Sequence, residues 1–463
     1  MDLFRKKDIS NQVDNTGHLR KCLSALDLTF LGVGAIIGAG IFVLTGIVAA
    51  TQTGPAIVFS YVMAGMACAF SALSYAELAA SVGGCGSAYG YAYAGFGELI
   101  AWIVGWDLLL EYSIAVSAVS VGWSGYFSDL LSALHIHIPT YLLHSPMDGG
   151  IVNVLSIGII LILTALLVVG VKSSSRFNNL MVLVKLMVIG LFIVIASTEV
   201  DPNNWTPFAP FGWKGVMEGA SLIFFAYVGF DAVSTAAEEA LHPQKDLPIG
   251  IIGSLLICTV LYIIVSGLLT GMVHYSFLNV SSPISHSLLI LGYKLAAGLV
   301  GVGAVAGLTT VMLVLFYGLS RVFFAMSRDG LLPRYFSYIH PKTLTPVRII
   351  VICGMAMASI AGLIPIEDLA ELVNIGTLFA FIIVCSGVLA LRYTHPELPR
   401  PFKTPLMPYT PILGIFSCAY LIYNLPWFTM IRFVAWMGVG IIIYFAYSRT
   451  NSELERTSQC PAK

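Results

Sequence analysis

Two glycine-rich interruptions inside apolar runs are the residues of this sequence best placed to do chemistry. The first is GAIIGAGIF, Gly34 to Phe42, and the second is FFAYVGFDAVSTAAEE, Phe224 to Glu239. Gly34, Gly38 and Gly40 crowd into one short stretch, and each costs a helix about 1 kcal/mol of propensity. In the second stretch Gly229 is followed by Asp231, an ionisable group beside a point where the chain can bend. A helix broken at such a point exposes two sets of backbone groups. The half after the break presents unpaired N–H groups suited to a carboxylate, and the half before it presents carbonyls suited to an ammonium or metal cation. A zwitterion carries both charges a few ångströms apart, so the pair reads as a backbone-built site for the α-amino and α-carboxyl groups of an amino acid. Glycines in the first run alone are equally compatible with close helix packing. Asp231 in the second separates the readings, because an acid buried in an apolar run is costly and usually functional.

The elements that must hold these breaks are apolar helices. Hydrophobic residues make up 58% of the chain and charged residues 10%, against about a half and a quarter in soluble domains. A bilayer tolerates such a composition because its outward face must be apolar. Taking about 20 residues per crossing, the sequence predicts twelve spans, at 25–50, 55–80, 97–128, 151–171, 176–197, 214–237, 249–275, 290–327, 347–365, 370–391, 407–424 and 428–448. The first run is too long for a signal peptide. The two interrupted spans, first and sixth, open consecutive blocks of five. An odd number of crossings per block inverts the second relative to the first, and paired interruptions in inverted repeats point to a midplane binding site. The expected division is a cytoplasmic segment 1–24, a first repeat 25–200, an inverted repeat 201–392, and two further helices with a cytoplasmic tail in 393–463.

Orientation follows from the basic residues. With the N-terminus inside, 19 of the 23 Lys and Arg fall on the cytoplasmic side, which places both termini there in a multi-pass protein of the plasma membrane. Only Lys185, Lys214, Lys294 and Arg432 do not. A net charge of −1 gives no reason to expect nucleic acid. The eight cysteines (22, 68, 85, 258, 353, 385, 418 and 460) have no metal or redox spacing, and no protease, hydrolase or nucleotide motif is present. No metal, cofactor or enzymatic activity is therefore expected.

At these residues the sequence resembles the amino acid–polyamine–organocation family of permeases, nearest to bacterial relatives of the cationic amino acid transporters. The segments that carry the resemblance are Gly32–Gly46, Gly170–Lys185, Phe224–Glu239, His242–Ile251 and Ser320–Pro333. It implies an all-α polytopic membrane protein with the leucine-transporter fold, five plus five inverted helices and two peripheral ones. It further implies a substrate carboxylate near Gly38, Ala39 and Gly40, with the amino group meeting carbonyls around Ile36, Ile37, Phe225, Ala226 and Val228, beside Gly229. The family often has Ser or Thr where this chain has Ala39, which removes a side-chain contact and leaves the backbone donors. On the same resemblance Tyr262 would be an aromatic gate. Met312 would be a pocket wall that favours small neutral amino acids over arginine or lysine.

Lys185 lies about nine residues from Arg176, roughly 14 Å along its helix, too deep for its stem to reach the interface. Resemblance to the proton-coupled branch implies that its ammonium replaces the cation that bridges helices 1 and 8 in sodium-driven relatives. A buried ammonium can change its charge state with conformation and proton supply. Glu111 and Asp231 are candidate charge partners, either for Lys185 or for a cationic substrate, and anchoring of helix packing is the alternative for both. Asp107 shares a helix face with Glu111, while Glu77 is expected to be solvated. Together these readings predict a secondary transporter that imports amino acids with protons across the lipid bilayer. An obligate exchanger, or a transporter-like nutrient sensor, is the alternative.

Overall fold

The computed structural model describes Arg5 and residues 23–82, 88–170, 175–341, 343 and 345–454. Of the basic residues counted for orientation, Lys6, Lys7, Arg20, Lys21, Lys172, Lys342, Arg456 and Lys463 lie outside the described residues, as do Cys22, Cys85 and Cys460. Among the described residues the chain is helical and forms no strand. The helices that matter for the site are α1 (Ala25–Ile36), α2 (Ile57–Val82), α3 (Ala88–Gly95), α4 (Glu98–Ala133), α5 (Val154–Val169), α6 (Ser175–Thr198) and α7 (Gly212–Ile223). The second half contributes α8 (Pro243–Met272), α9 (Pro283–Ile290), α10 (Lys294–Arg328), α11 (Val347–Leu363), α12 (Ile366–Thr394), α13 (Tyr409–Tyr423) and α14 (Trp427–Ile443).

Among the described residues, eight helical runs are long and apolar enough to cross a membrane. Four shorter apolar helices, α1, α5, α11 and α13, accompany them. Large apolar side chains cover the outside, with Leu295 of α10 80% exposed and Phe428 of α14 74% exposed, while many Ser and Thr and a few charged groups, Lys185 and Glu111 among them, are buried. That inversion of the soluble pattern is what a hydrocarbon solvent selects. α13 and α14 bury only a few residues each. Even so, α14 is anchored by a stack in which Trp106 of α4 lies 4.5 Å from Trp436.

Local chemistry sets the element ends. Ser24 and Asp27 form a reciprocal capping box at the start of α1, which satisfies two amides that a helix start leaves free. Asn179 of α6 then donates to the second Asp27 oxygen at 2.9 Å, so this cap also ties α1 to α6. The span predicted over 290–327 is α10, and a short helix the sequence reading did not separate, α9, precedes it across a turn at Gly292, where φ is +89°. The sequence also gives no warning of α3. Its Tyr-rich repeat AYGYAYAG is too short to register as a span.

One expectation is corrected. Glu77, expected in solvent, is 2% exposed. Both of its oxygens accept from the Arg392 guanidinium, at 2.8 and 2.7 Å, and Oε2 also accepts from the Thr404 amide at 2.7 Å. Arg400 approaches Oε1 at 3.5 Å. The polar linker after α12 folds back over the end of α2 and takes the carboxylate out of water, a tertiary event that local charge does not announce. Removing one member of a buried pair leaves the other uncompensated and costs about 3–5 kcal/mol. Glu77→Gln is therefore expected to lower the melting temperature of the detergent-solubilised protein by several degrees. The double variant Glu77→Gln, Arg392→Gln should recover part of the loss, measured by intrinsic fluorescence on heating.

Candidate functional site

Both predicted breaks are present, and they touch. α1 stops at Ile36, and Ile37 (φ −73°, ψ 98°) turns the chain out of the helix. The chain resumes helical form as a π-helical turn, Gly40–Leu44. The amides of Gly38, Ala39, Gly40 and Ile41 are the ones a helix start leaves without intrahelical partners. At the second break α7 tightens into a 3-10 turn, Phe224–Tyr227. Val228 then turns extended (ψ 131°), and Gly229 adopts φ +116°, a region that disfavours any side chain. A second 3-10 stretch begins at Asp231.

Contact between the breaks explains two of the glycines. A Cβ on Gly40 would lie 2.3 Å from the Cα of Ala226, and one on Gly229 would lie 3.1 Å from the carbonyl of Ala35. Only bare backbone lets the two unwound segments pass this closely. Gly38 is different, because a Cβ there meets nothing nearer than Val311, at 3.5 Å.

Breaking a helix away from water frees carbonyls that need donors, each unsatisfied group costing several kcal/mol. Side chains from other helices supply them. Lys185 of α6 is fully buried and donates to Gly34 O at 2.7 Å and Ile37 O at 3.1 Å. Its stem packs against Gly307 of α10, where an added Cβ would sit 3.0 Å from the lysine Cε. Tyr262 of α8 reaches Ile36 O and Ala226 O, each at 2.9 Å. Asn374 of α12 donates to Ser221 O and Leu222 O, at 2.8 and 2.9 Å. Tyr126 of α4 donates to Phe42 O at 2.7 Å.

A small cavity lies at the junction. Its walls include Ile36, Gly38, Ala39 and Gly40 from the first break, and Phe225 and Val228 from the second. α4 adds Ala115 and Val119, and α10 adds Val311 and Leu315. Its volume of about 10 Å³ is one water's worth, so the two halves are closed on each other. The predicted residues Ile37, Ala226, Gly229 and Tyr262 form the backbone shell just behind these walls. Met312 is fully buried but is not on the cavity surface, where its neighbours Val311 and Leu315 stand.

The predicted acids form a separate cluster. Glu111 of α4, 1% exposed, and Asp231, 5% exposed, interact electrostatically with each other and with Asp107. Tyr112 donates to Asp231 Oδ2 at 3.3 Å. Among the described residues, both Asp107 oxygens, Glu111 Oε1 and Asp231 Oδ1 find no hydrogen-bond partner. Among the described residues no ion pair joins Lys185 to Glu111 or Asp231; its recorded partners are the carbonyls of Gly34 and Ile37. On α4 the residues Asp107, Glu111, Ala115 and Val119 follow at intervals of four. One face of this helix therefore runs from the acids to the cavity wall.

Sequence reasoning missed Asn374, Tyr126, Val311 and Leu315. An amide inside the apolar run LAELVNIGTLFAF was a usable signal for Asn374, on the same cost argument applied to Asp231. Nothing local marks a valine or leucine as a cavity wall. The contact geometry generates a test. Gly40→Ala forces backbone apart and should destabilise by about 1–3 kcal/mol, the cost of overpacking. Gly38→Ala should melt like the unaltered protein. Thermal unfolding of the two variants side by side reads the difference.

With this geometry in place, comparison with known proteins is direct. A family model described as amino acid permease matches residues 23–447. The branched-chain amino acid permease BcaP of Bacillus subtilis (strain 168) is 50% identical over 462 residues, covering 98% of this chain and 99% of the relative. The methylthioribose transporter of the same organism is 49% identical over 458 residues, with the same coverage. The vacuolar cationic amino acid transporter 4 of Arabidopsis thaliana is 39% identical over 407 residues, covering 85% of this chain and 68% of the relative.

Proposed function

Because the chain belongs to the amino acid permease family, a multi-pass membrane transporter and not an enzyme, we propose that it imports amino acids with aliphatic side chains across the plasma membrane. Transport proceeds by alternating access around the cavity between the two helix breaks. The observation that carries this reading is the pairing of the breaks. Gly38, Ala39 and Gly40, just after the first break, line the same cavity as Phe225 and Val228 of the second, and the amides and carbonyls freed at two such breaks match a carboxylate and an ammonium. The side-chain end of the cavity is walled by Ala115, Val119, Val311, Leu315 and Phe225, with no charged group. A branched aliphatic chain fits that wall, and a guanidinium or ammonium tail would be buried there without a partner. The name of one half-identical relative, a branched-chain amino acid permease, agrees with it.

The fold in this reading is twelve crossings of the leucine-transporter type. α5, α11 and α13 are crossings in addition to the long runs, α1 and the half-helix after its break make the first crossing with α2 as the second, the blocks 25–200 and 201–392 are related by inversion, and both termini are cytoplasmic. Lys185 carries the coupled proton. Its ammonium sits on the carbonyls of Gly34 and Ile37 at the end of α1 with its stem against α10, so losing the proton would turn two charge-assisted hydrogen bonds into weaker neutral ones and loosen α1 from α6.

Uptake into proteoliposomes tests the substrate. Leucine, isoleucine or valine should accumulate under an inward proton gradient, while lysine and arginine should not. Accumulation of methylthioribose in place of any amino acid would overturn the zwitterion site, since that molecule has neither an ammonium nor a carboxylate. Uptake by empty vesicles separates import from obligate exchange, which needs internal substrate.

The coupling role predicts that Lys185→Ala loses concentrative uptake under a pH gradient and retains measurable counterflow between vesicles loaded with the same amino acid. Unchanged accumulation in the variant would remove Lys185 from the coupling step.

A further inference from the structure

The hydroxyl of Tyr262 occupies an unusual position between the two breaks. Ile36 is the last residue of α1, and Ala226 lies in the 3-10 turn that ends α7. Each is therefore the carbonyl end of a broken helix, and the tyrosine oxygen stands 2.9 Å from both. A phenol has one proton. It can donate fully to only one of these carbonyls at a time, so the other is left short of a donor in the closed arrangement. Three other carbonyls at the first break, those of Val33, Gly34 and Ile37, are provided for. Ile37 N–H donates to Val33 O at 3.0 Å, and Lys185 serves Gly34 and Ile37. Among these groups, the deficit is concentrated on the Ile36 and Ala226 pair.

The ring has little freedom to correct this. Tyr262 is fully buried and packs against Tyr61 and Tyr227, with ring centroids 5.2 and 5.4 Å away. Tyr227 is itself fixed by donating to Tyr61 O at 2.9 Å. Tyr61 pairs with the Thr45 hydroxyl at 2.6 Å, and Thr45 donates to Gly40 O at 3.1 Å. This tyrosine group therefore connects α2, α8 and both breaks, and it holds the phenolic oxygen at a set distance from each.

We infer that Tyr262 is the positioning residue of the ammonium subsite, a strut that holds the two broken helices at the spacing where a substrate α-ammonium supplies the donors that one phenol cannot. The inference rests on the zwitterion reading above and adds a specific division of labour to it. The amides after the first break take the carboxylate. Ile36 O and Ala226 O take the ammonium, with the Tyr262 oxygen free to accept from it. Tyr262 then acts within the subsite and is not a gate across an access path.

The test compares two ligands on two proteins. Leucine carries both head groups, and 4-methylpentanoate keeps the carboxylate and side chain but lacks the ammonium. Binding of each is measured by isothermal titration or by competition with labelled leucine, on the unaltered protein and on Tyr262→Phe, which keeps the ring and its packing. Leucine binding should weaken roughly tenfold in the variant, as expected for loss of a hydrogen bond linked to a charged group. Binding of 4-methylpentanoate should be unchanged. Equal weakening of both ligands would mean that Tyr262 supports the fold in general, and an unchanged affinity for leucine would mean that it has no part in the subsite. Either result overturns the inference. Failure of the unaltered protein to bind any amino acid would strike the zwitterion reading itself, and so is distinguishable from both.

Discussion

Backbone polar groups cannot go unpaired in an apolar medium, and that constraint organises this protein. An unbroken helix satisfies it internally. This chain breaks two helices at mid-length, so the carbonyls freed at each break must find donors elsewhere. The donors come from four other helices: Lys185 on α6, Tyr262 on α8, Asn374 on α12 and Tyr126 on α4. Each reaches a backbone oxygen of an unwound segment or of the turn beside it. The buried polar side chains are therefore the counterpart of the breaks, and the helices that carry them are held in place by the same bonds.

In the proposed mechanism the substrate site and the coupling lysine belong to one structure. Lys185 and Tyr262 serve carbonyls within the four residues 34–37, so a change at either is felt by the other through the same few peptide units. The closed cavity between them is no larger than a water. Admitting an amino acid therefore requires the breaks to move apart, which must alter the hydrogen bonds that Lys185 and Tyr262 make. Binding and conformational change are linked by geometry and need no long pathway. The acids stand outside this network, Asp107 and Glu111 on a polar extension of the α4 face and Asp231 after the second break, and several of their oxygens find no partner among the described residues.

Two relatives of nearly equal identity carry names with chemically different substrates, an amino acid and a thiosugar. Overall likeness therefore identifies the family and leaves the cargo to the walls. Those walls are set by Val311, Leu315, Ala115 and Val119, residues that in isolation look like any other core aliphatic.

What the sequence determined by itself was whatever has a local energetic signature. Glycines clustered in an apolar run gave the breaks, an excess of apolar residues gave the membrane-crossing helices, and a lysine too deep to reach water marked Lys185. Tertiary structure decided what depends on the meeting of distant segments. Glu77 looked like a surface acid until the linker carrying Arg400 and Thr404 folded over it. Val311 and Leu315 line the cavity and Met312 is buried beside them, because helix rotation, which composition does not encode, selects the residues that face inward. Asn374 and Tyr126 became part of the site only when α12 and α4 packed against the unwound segments, for a donor has no function until the chain brings it to an oxygen that lacks one.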